Sequence, residues 1–221
     1  MQNVFSICTR FPGKREKLMN KQNSTVMKLA ETALLAALCY VSFTFLQIKI
    51  PVPGGDATSL HIGNTFCVLG ALLLGGWYGG LAGSIGMTIA DLMDPVYITG
   101  APKTFVLKLC IGLITGLVAH KIAKINETND KKYVFKWSLI ASIAGLAFNV
   151  IADPIVGYFY KQYILGQPQE VASILAKLSA GATFVNAIVS TILVVIIYNA
   201  VRPALIKANL IHVHVAAANA K

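Results

Sequence analysis

Charged residues are scarce in this 221-residue chain: Asp, Glu, Lys and Arg make up 13% of it, whereas 56% is hydrophobic. Soluble domains contain about 25% charged residues, so the chain lacks the surface charge of a water-soluble fold. A mean hydropathy of +0.66 points the same way. The composition therefore predicts an integral membrane protein.

Acidic residues are the scarcer charged class, and the formal net charge is +10. The basic residues gather before Lys28, between residues 119 and 136, and after Val201. Basic clusters confined to alternate loops follow the positive-inside rule, which places these three regions in the cytoplasm. Nucleic-acid binding would need basic side chains interleaved with exposed aromatic ones, so we expect no nucleic-acid partner.

Motifs for catalysis, metal binding and ATP hydrolysis are missing as well. The four cysteines show no CxxC or other metal-ligand spacing, which predicts neither a disulfide nor a metal site. The chain has no GxxxxGK[ST], HExxH or GxSxG motif. The basic N-terminal stretch precedes an apolar segment too long for a signal peptide, so this segment is expected to remain as a span. We expect a binding protein without a cofactor, not an enzyme.

Six apolar segments are candidate membrane spans, at residues 29–48, 62–74, 77–92, 105–122, 137–158 and 175–201. The second and third are short and lie on either side of Gly75 and Gly76, which predicts a tilted hairpin or an irregular pair shielded by protein. The fold class is thus an all-α integral membrane protein with six transmembrane helices and both termini cytoplasmic. Basic tails, 1–28 and 204–221, would flank a transmembrane domain at 29–203. No inverted repeat is visible.

Polar and charged side chains interrupt these apolar segments. A charge at bilayer depth costs at least roughly 2.5–3.5 kcal/mol on insertion scales, so several together predict a buried polar site. Asp91 and Asp94 are three residues apart, and Asn149 and Asp153 four apart, so each pair shares a helix face. The topology places the whole set near the extracellular side. The candidate substrate-binding residues are His61, Asn64, Asp91, Asp94, Lys103, Asn149, Asp153 and Asn186.

Individual members of this set also have purely structural explanations. Asp94 and Asp153 each precede a proline, so they could stabilise a turn and a kink. Lys103 could extend to the outer headgroups, and Asp91 could pair with Lys108. Ion pairs are an expensive way to hold helices together in lipid, so the set as a whole favours a binding site.

Small residues recur at four-residue spacing, which lets helices approach closely in lipid. For three glycine pairs, at 75 and 79, 76 and 80, and 112 and 116, ordinary packing within the chain is the simpler interpretation. Ala33 and Ala37 differ, because leucines flank them on the cytoplasmic half of the first span. A partner helix could dock there.

Several segments resemble the substrate-binding S components of the energy-coupling factor (ECF) vitamin transporters. The basic tail, residues 29–38 and the segment "PVPGGD" at 51–56 resemble the start of such a protein. The blocks "LGGWYGGLAGSIGMTIADL" and "FVLKLCIGLITG" are similar to the riboflavin-transporter-like group in particular. The resemblance covers nearly the whole chain after Val26.

The resemblance implies a multi-pass protein of a prokaryotic cell membrane that binds a vitamin from outside. Such proteins dock on a transmembrane coupling protein (T component) that sits on two ATPase subunits, and they topple to release the ligand. By position, Ala33 and Ala37 match the AxxxA-type docking surface. The loop at 51–60 matches the lid over the pocket, and its candidate lid residues are Pro53, Gly54, Gly55 and Asp56.

The mixture of carboxylates, amides, a histidine and a lysine suits a small ring with hydroxymethyl, amine or ring-nitrogen groups. Hydroxymethylpyrimidine and pyridoxine-like rings fit, and the resemblance implies such ligands. Tyr97, Tyr158 and Tyr160 are possible stacking partners on the outer side. Pantothenate, riboflavin and folate remain alternatives, although riboflavin would need a larger, more aromatic pocket.

Two other classes of function compete with an S component. One is a stand-alone proton- or cation-coupled secondary transporter, in which Asp91 and Asp153 would carry the coupling ion. The other is a structural membrane subunit that binds no small molecule.

Overall fold

A computed structural model describes residues 12–52 and 56–208. This part of the chain contains six α-helices: α1 (Pro12–Phe45), α2 (Gly63–Leu74), α3 (Gly76–Met93), α4 (Ala101–Gly116), α5 (Lys131–Phe159) and α6 (Gln169–Lys207). Two strands, β1 (Gln47–Val52) and β2 (Asp56–His61), lie between α1 and α2. Helices α4 and α5 continue into π-helical turns at Leu117–Ile122 and Tyr160–Ile164. Each predicted span falls mainly on one of the six helices, although the first also reaches into β1 at residues 47 and 48. This agreement confirms the helical membrane class.

Four segments are long and apolar enough to cross a bilayer by themselves: Thr25–Phe45, Ile98–Glu127, Lys131–Ile164 and Gln169–Lys207. The helix α2 has only 12 residues, short of the roughly 20 that a bilayer core requires. Gly75 alone separates α2 from α3, with a φ of 93° that favours glycine. The two short helices therefore form the tight pair that the sequence predicts.

Glycines let α3 and α4 cross with their backbones in contact. A Cβ atom placed on Gly112 would lie 2.2 Å from the Cα of Gly80, and one on Gly116 would lie 2.2 Å from the nitrogen of Gly76. No side chain larger than hydrogen fits at such distances. Gly76, Gly80, Gly112 and Gly116 thus serve packing within the chain, and Gly79 packs in the same way against Ala71 of α2, whereas a Cβ on Gly75 would meet no atom within 4 Å.

The segment after α1 is a β-hairpin, whereas hydropathy predicts the end of a span followed by a loop. Strands β1 and β2 pair antiparallel, from Gln47 opposite His61 to Val52 opposite Asp56. Apolar residues alternate with polar ones at the start of β1, a pattern of period two that is typical of a strand. Of the expected lid residues, Asp56 begins β2, while Pro53, Gly54 and Gly55 lie outside the described residues.

The alternating directions of the helices bring three connections to one end of the bundle. They are the hairpin, the turn between α3 and α4, and the segment between α5 and α6. The opposite end carries the lysine-rich connection between α4 and α5. By the positive-inside rule, the hairpin end faces outward.

Candidate functional site

A cavity of about 130 Å³ lies at the hairpin end, between β2 and the helices. Seven of the eight predicted residues line it: His61, Asn64, Asp91, Lys103, Asn149, Asp153 and Asn186. They come from β2 and from all helices except α1, so only the folded chain brings them together.

Asp94 is the exception, because its carboxylate forms an ion pair with Lys49 of β1 instead of lining the cavity. Its Oδ1 also accepts a hydrogen bond from the Val96 amide at 3.1 Å, which closes a turn. Burial raises the pKa of Asp94, but the hydrogen bonds from Lys49 and Val96 and the charge of Lys49 outweigh it, so the pKa is lowered overall. Asp94 therefore links the hairpin to the end of α3 and closes a turn there.

An ion pair joins α4 and α5 at the cavity wall. Lys103 Nζ lies 2.9 Å from Asp153 Oδ1, and both side chains are 15% exposed. The other oxygen of Asp153 accepts hydrogen bonds from Ser179 and, at 3.2 Å, from Thr183 Oγ1. Lys103 therefore turns into the cavity wall and does not extend to the headgroups. Asp153 ties three helices together.

Asp91 and Lys108 line the cavity without touching each other. They are 3% and 8% exposed. Within the described part of the chain, neither makes an ion pair at the 4 Å limit, so the direct pair considered from the sequence is not formed. Thr104, one turn before Lys108 on α4, lies beside the Asp91 carboxyl group. Two side chains of opposite charge type thus line the same cavity without an ion pair between them.

Two asparagine side chains in the cavity lining have acceptor oxygens without a hydrogen-bond partner among the described residues. Asn64 and Asn149 are almost fully buried. The Oδ1 atom of each has no hydrogen-bond partner among the described residues. Buried polar atoms nearly always have a partner, so these two oxygens are suited to receive donors from a bound molecule.

Asn186 has a different environment, because its amide binds the main chain of β2. Its Oδ1 accepts from the His61 nitrogen at 3.0 Å, and its Nδ2 donates to the Ser59 carbonyl at 2.9 Å. His61 in turn accepts a hydrogen bond from the Gly63 nitrogen on Nδ1, so its proton lies on Nε2. The ring packs edge-on against Phe43, with centroids 4.7 Å apart.

Sequence reasoning missed several lining residues. Thr104, Ser179 and Thr183 line the cavity, and the last two bind Asp153. Helical spacing would have identified two of them. Ser179 and Thr183 precede Asn186 by seven and three residues, so all three lie on the same face of α6. Of the outer tyrosines, Tyr97 and Tyr160 line the cavity, and Tyr158 packs on Phe159 instead.

The fold and the cavity define a membrane-embedded binding protein. The family model for the ECF-type riboflavin transporter, S component, matches residues 23–203, and the chain belongs to this family. Its fold is similar to the solved structure of ThiT from Listeria monocytogenes, with a TM-score of 0.59 and 19% identity over 82% of this chain and 97% of that one. No curated protein sequence matches the chain significantly.

Membership of this family makes the protein a multi-pass membrane transport subunit and not an enzyme. S components of ECF transporters bind vitamins and work with a T component and ATPases.

Proposed function

We propose that this chain captures a small single-ring vitamin or vitamin precursor from outside the cell. Hydroxymethylpyrimidine or a pyridoxine-like ring is the favoured ligand. The observation that carries the proposal is the convergence of seven polar side chains from six elements on one cavity at the outward end. Bound ligand would be delivered by toppling on a T component that is driven by two ATPase subunits.

The dimensions of the cavity support a small ring. A volume of about 130 Å³ is well below the roughly 300–1,000 Å³ of pockets for drug-sized ligands. Neither Trp77 nor Trp137 lines the cavity, so its aromatic surface comes from Phe43, Tyr97 and Tyr160. A three-ring flavin would need more space and more aromatic contact than this.

The exposed face of α1 supports a docking role. Ala33 and Ala37 are both exposed, next to the exposed Leu34, Leu38 and Val41. Two small residues one turn apart leave a shallow groove in which a partner helix can approach closely. We place the contact with the T component on this face.

The decisive experiment identifies the ligand directly. Mass spectrometry of small molecules that co-purify with the detergent-solubilised chain should find a single-ring vitamin or precursor. Titration of the emptied protein should then give tight binding of hydroxymethylpyrimidine or pyridoxine and weak binding of riboflavin, pantothenate and folate. Tight binding of riboflavin alone would overturn the single-ring proposal, and no binding of any of them would overturn the binding role.

Transport assays separate the S component from a stand-alone carrier. In proteoliposomes the chain alone should bind ligand without accumulating it, and accumulation should require the T component, both ATPases and ATP. Uptake by the chain alone that stops when the proton gradient is collapsed would establish a proton-coupled transporter instead.

A further inference from the structure

The charges that line the cavity form one complete pair and one open pair. Lys103 and Asp153 neutralise each other at 2.9 Å. Asp91 on α3 and Lys108 on α4 face the same cavity and do not meet. Lys161 also lines the cavity and has contacts of its own.

An open pair of buried charges is costly for the empty protein. Moving an ion out of water is unfavourable, and a close partner of opposite charge offsets this cost. Asp91 and Lys108 are nearly fully buried, and both line the cavity. A ligand carrying both signs of charge would complete two charge-assisted contacts, which are stronger than neutral hydrogen bonds.

We propose that the ligand is a dipolar ring that inserts between Asp91 and Lys108. A protonated ring nitrogen would donate to the Asp91 carboxylate, and an anionic ring oxygen would accept from Lys108 Nζ. A 3-hydroxypyridine is such a ring, since it can hold a pyridinium N–H and a phenolate oxygen at once. This inference rests on the proposed function, and it makes Asp91 and Lys108 the residues that determine specificity.

Asn64 and Asn149 complete the recognition. Their unpaired Oδ1 atoms accept hydrogen bonds, so they suit the hydroxymethyl donors of such a ring. An aminopyrimidine would satisfy the asparagines, but it carries no anionic oxygen for Lys108. The open charge pair thus discriminates between the two favoured ligands.

Matched probes and variants test this pairing atom by atom. The probes are pyridoxine, 3-deoxypyridoxine without the ring hydroxyl, and the benzene analogue in which C–H replaces the ring nitrogen. Wild-type protein should bind pyridoxine at least tenfold more tightly than either analogue. Lys108→Met should abolish only the preference for the hydroxyl, and Asp91→Asn only the preference for the ring nitrogen.

Lys177→Met is the matched control. Lys177 is exposed near the N-terminal end of α6 and does not line the cavity. It should keep both preferences. Equal loss of affinity for all three probes in Lys108→Met, or no loss, would overturn the inference. The inference would also be overturned if the protein bound hydroxymethylpyrimidine, riboflavin or pantothenate tightly and did not bind pyridoxine. That result would leave the proposed vitamin-binding function intact. Absence of binding to every vitamin would overturn both.

Discussion

Asn186 on α6 and His61 on β2 are joined through the main chain: the His61 amide donates to the Asn186 Oδ1 at 3.0 Å. The second hydrogen bond of the same side chain, to Ser59, makes Asn186 a two-point attachment for β2. His61 also lines the cavity, so one asparagine fixes the strand that supplies a cavity wall.

Replacement of Asn186 by leucine should therefore loosen the hairpin. Two buried main-chain groups would lose their partners, at a cost of about 1–3 kcal/mol each. We expect faster hydrogen exchange of the β2 amides and weaker ligand binding, measured by mass spectrometry and titration. Asn199→Leu is the control, because Asn199 binds Ser138 and Val195 elsewhere on α6 and does not line the cavity. Unchanged exchange in β2 would contradict the attachment.

Asn149 should contribute to affinity without contributing to stability. Its Oδ1 has no partner in the described part of the chain, so Asn149→Leu removes no hydrogen bond made by that atom. We expect binding to weaken by about 1–3 kcal/mol, roughly fivefold to a hundredfold in Kd, at an unchanged or higher melting temperature. Ser190→Ala removes a similarly unpartnered buried hydroxyl outside the lining and should leave Kd unchanged. A lower melting temperature with normal affinity would assign Asn149 to the scaffold.

The Lys103–Asp153 pair should behave as a stabilising unit. Removal of one partner leaves the other charge largely buried, so Lys103→Met and Asp153→Asn should each destabilise the protein by roughly 3 kcal/mol. The double variant should melt above the less stable single variant, because no uncompensated charge remains. Thermal unfolding of the wild type and the three variants completes a double-mutant cycle. If the losses of stability in the single variants added up to the loss in the double variant, the two side chains would not be coupled.

Bulky residues on the exposed face of α1 should block transport and spare binding. We expect Ala33→Phe and Ala37→Phe to abolish ATP-dependent uptake in proteoliposomes containing the complete transporter, with ligand Kd nearly unchanged. The physical reason is a clash with a partner helix, since both alanines are exposed and outside the cavity. Ala147→Phe on the exposed face of α5 should transport normally. Normal uptake by both α1 variants would remove this surface from the mechanism.

Low pH should release the hairpin from α3. The pKa of Asp94 lies below its ordinary value of 3.8, so the Lys49–Asp94 contact stabilises the fold above that value. This stabilisation is lost as pH falls from about 4 through the lowered pKa. Hairpin hydrogen exchange should accelerate over that range in the wild type. In Asp94→Asn the hairpin amides should exchange fast already at pH 7, and their exchange should depend less on pH. If the variant and the wild type exchanged identically at every pH, the contact would be excluded.

The hairpin has a strand pattern that the hydropathy of the same residues conceals. Ile48, Ile50 and Val52 alternate with other residues, which is the period of a strand. The apolar run of α1 continues directly into them, so hydropathy alone extends the span to residue 48. Pairing with β2 makes residues 47–52 a strand and not a continuation of the helix. A partner strand satisfies the main-chain hydrogen-bonding groups of an extended segment.

The sequence by itself determined the membrane class, the six helices, the outward side and the identity of the polar side chains. Whether a segment enters the bilayer depends on its own hydropathy, and its orientation depends on the charges that flank it, so both can be read from the sequence. The tertiary structure decided which polar groups meet. Helical spacing places Asp91 and Asp153 on faces of their own helices, but the lateral position and rotation of those helices select the partner. That selection joined Lys103 to Asp153 and Lys49 to Asp94, and it left Asp91 and Lys108 on the lining of one cavity without an ion pair between them.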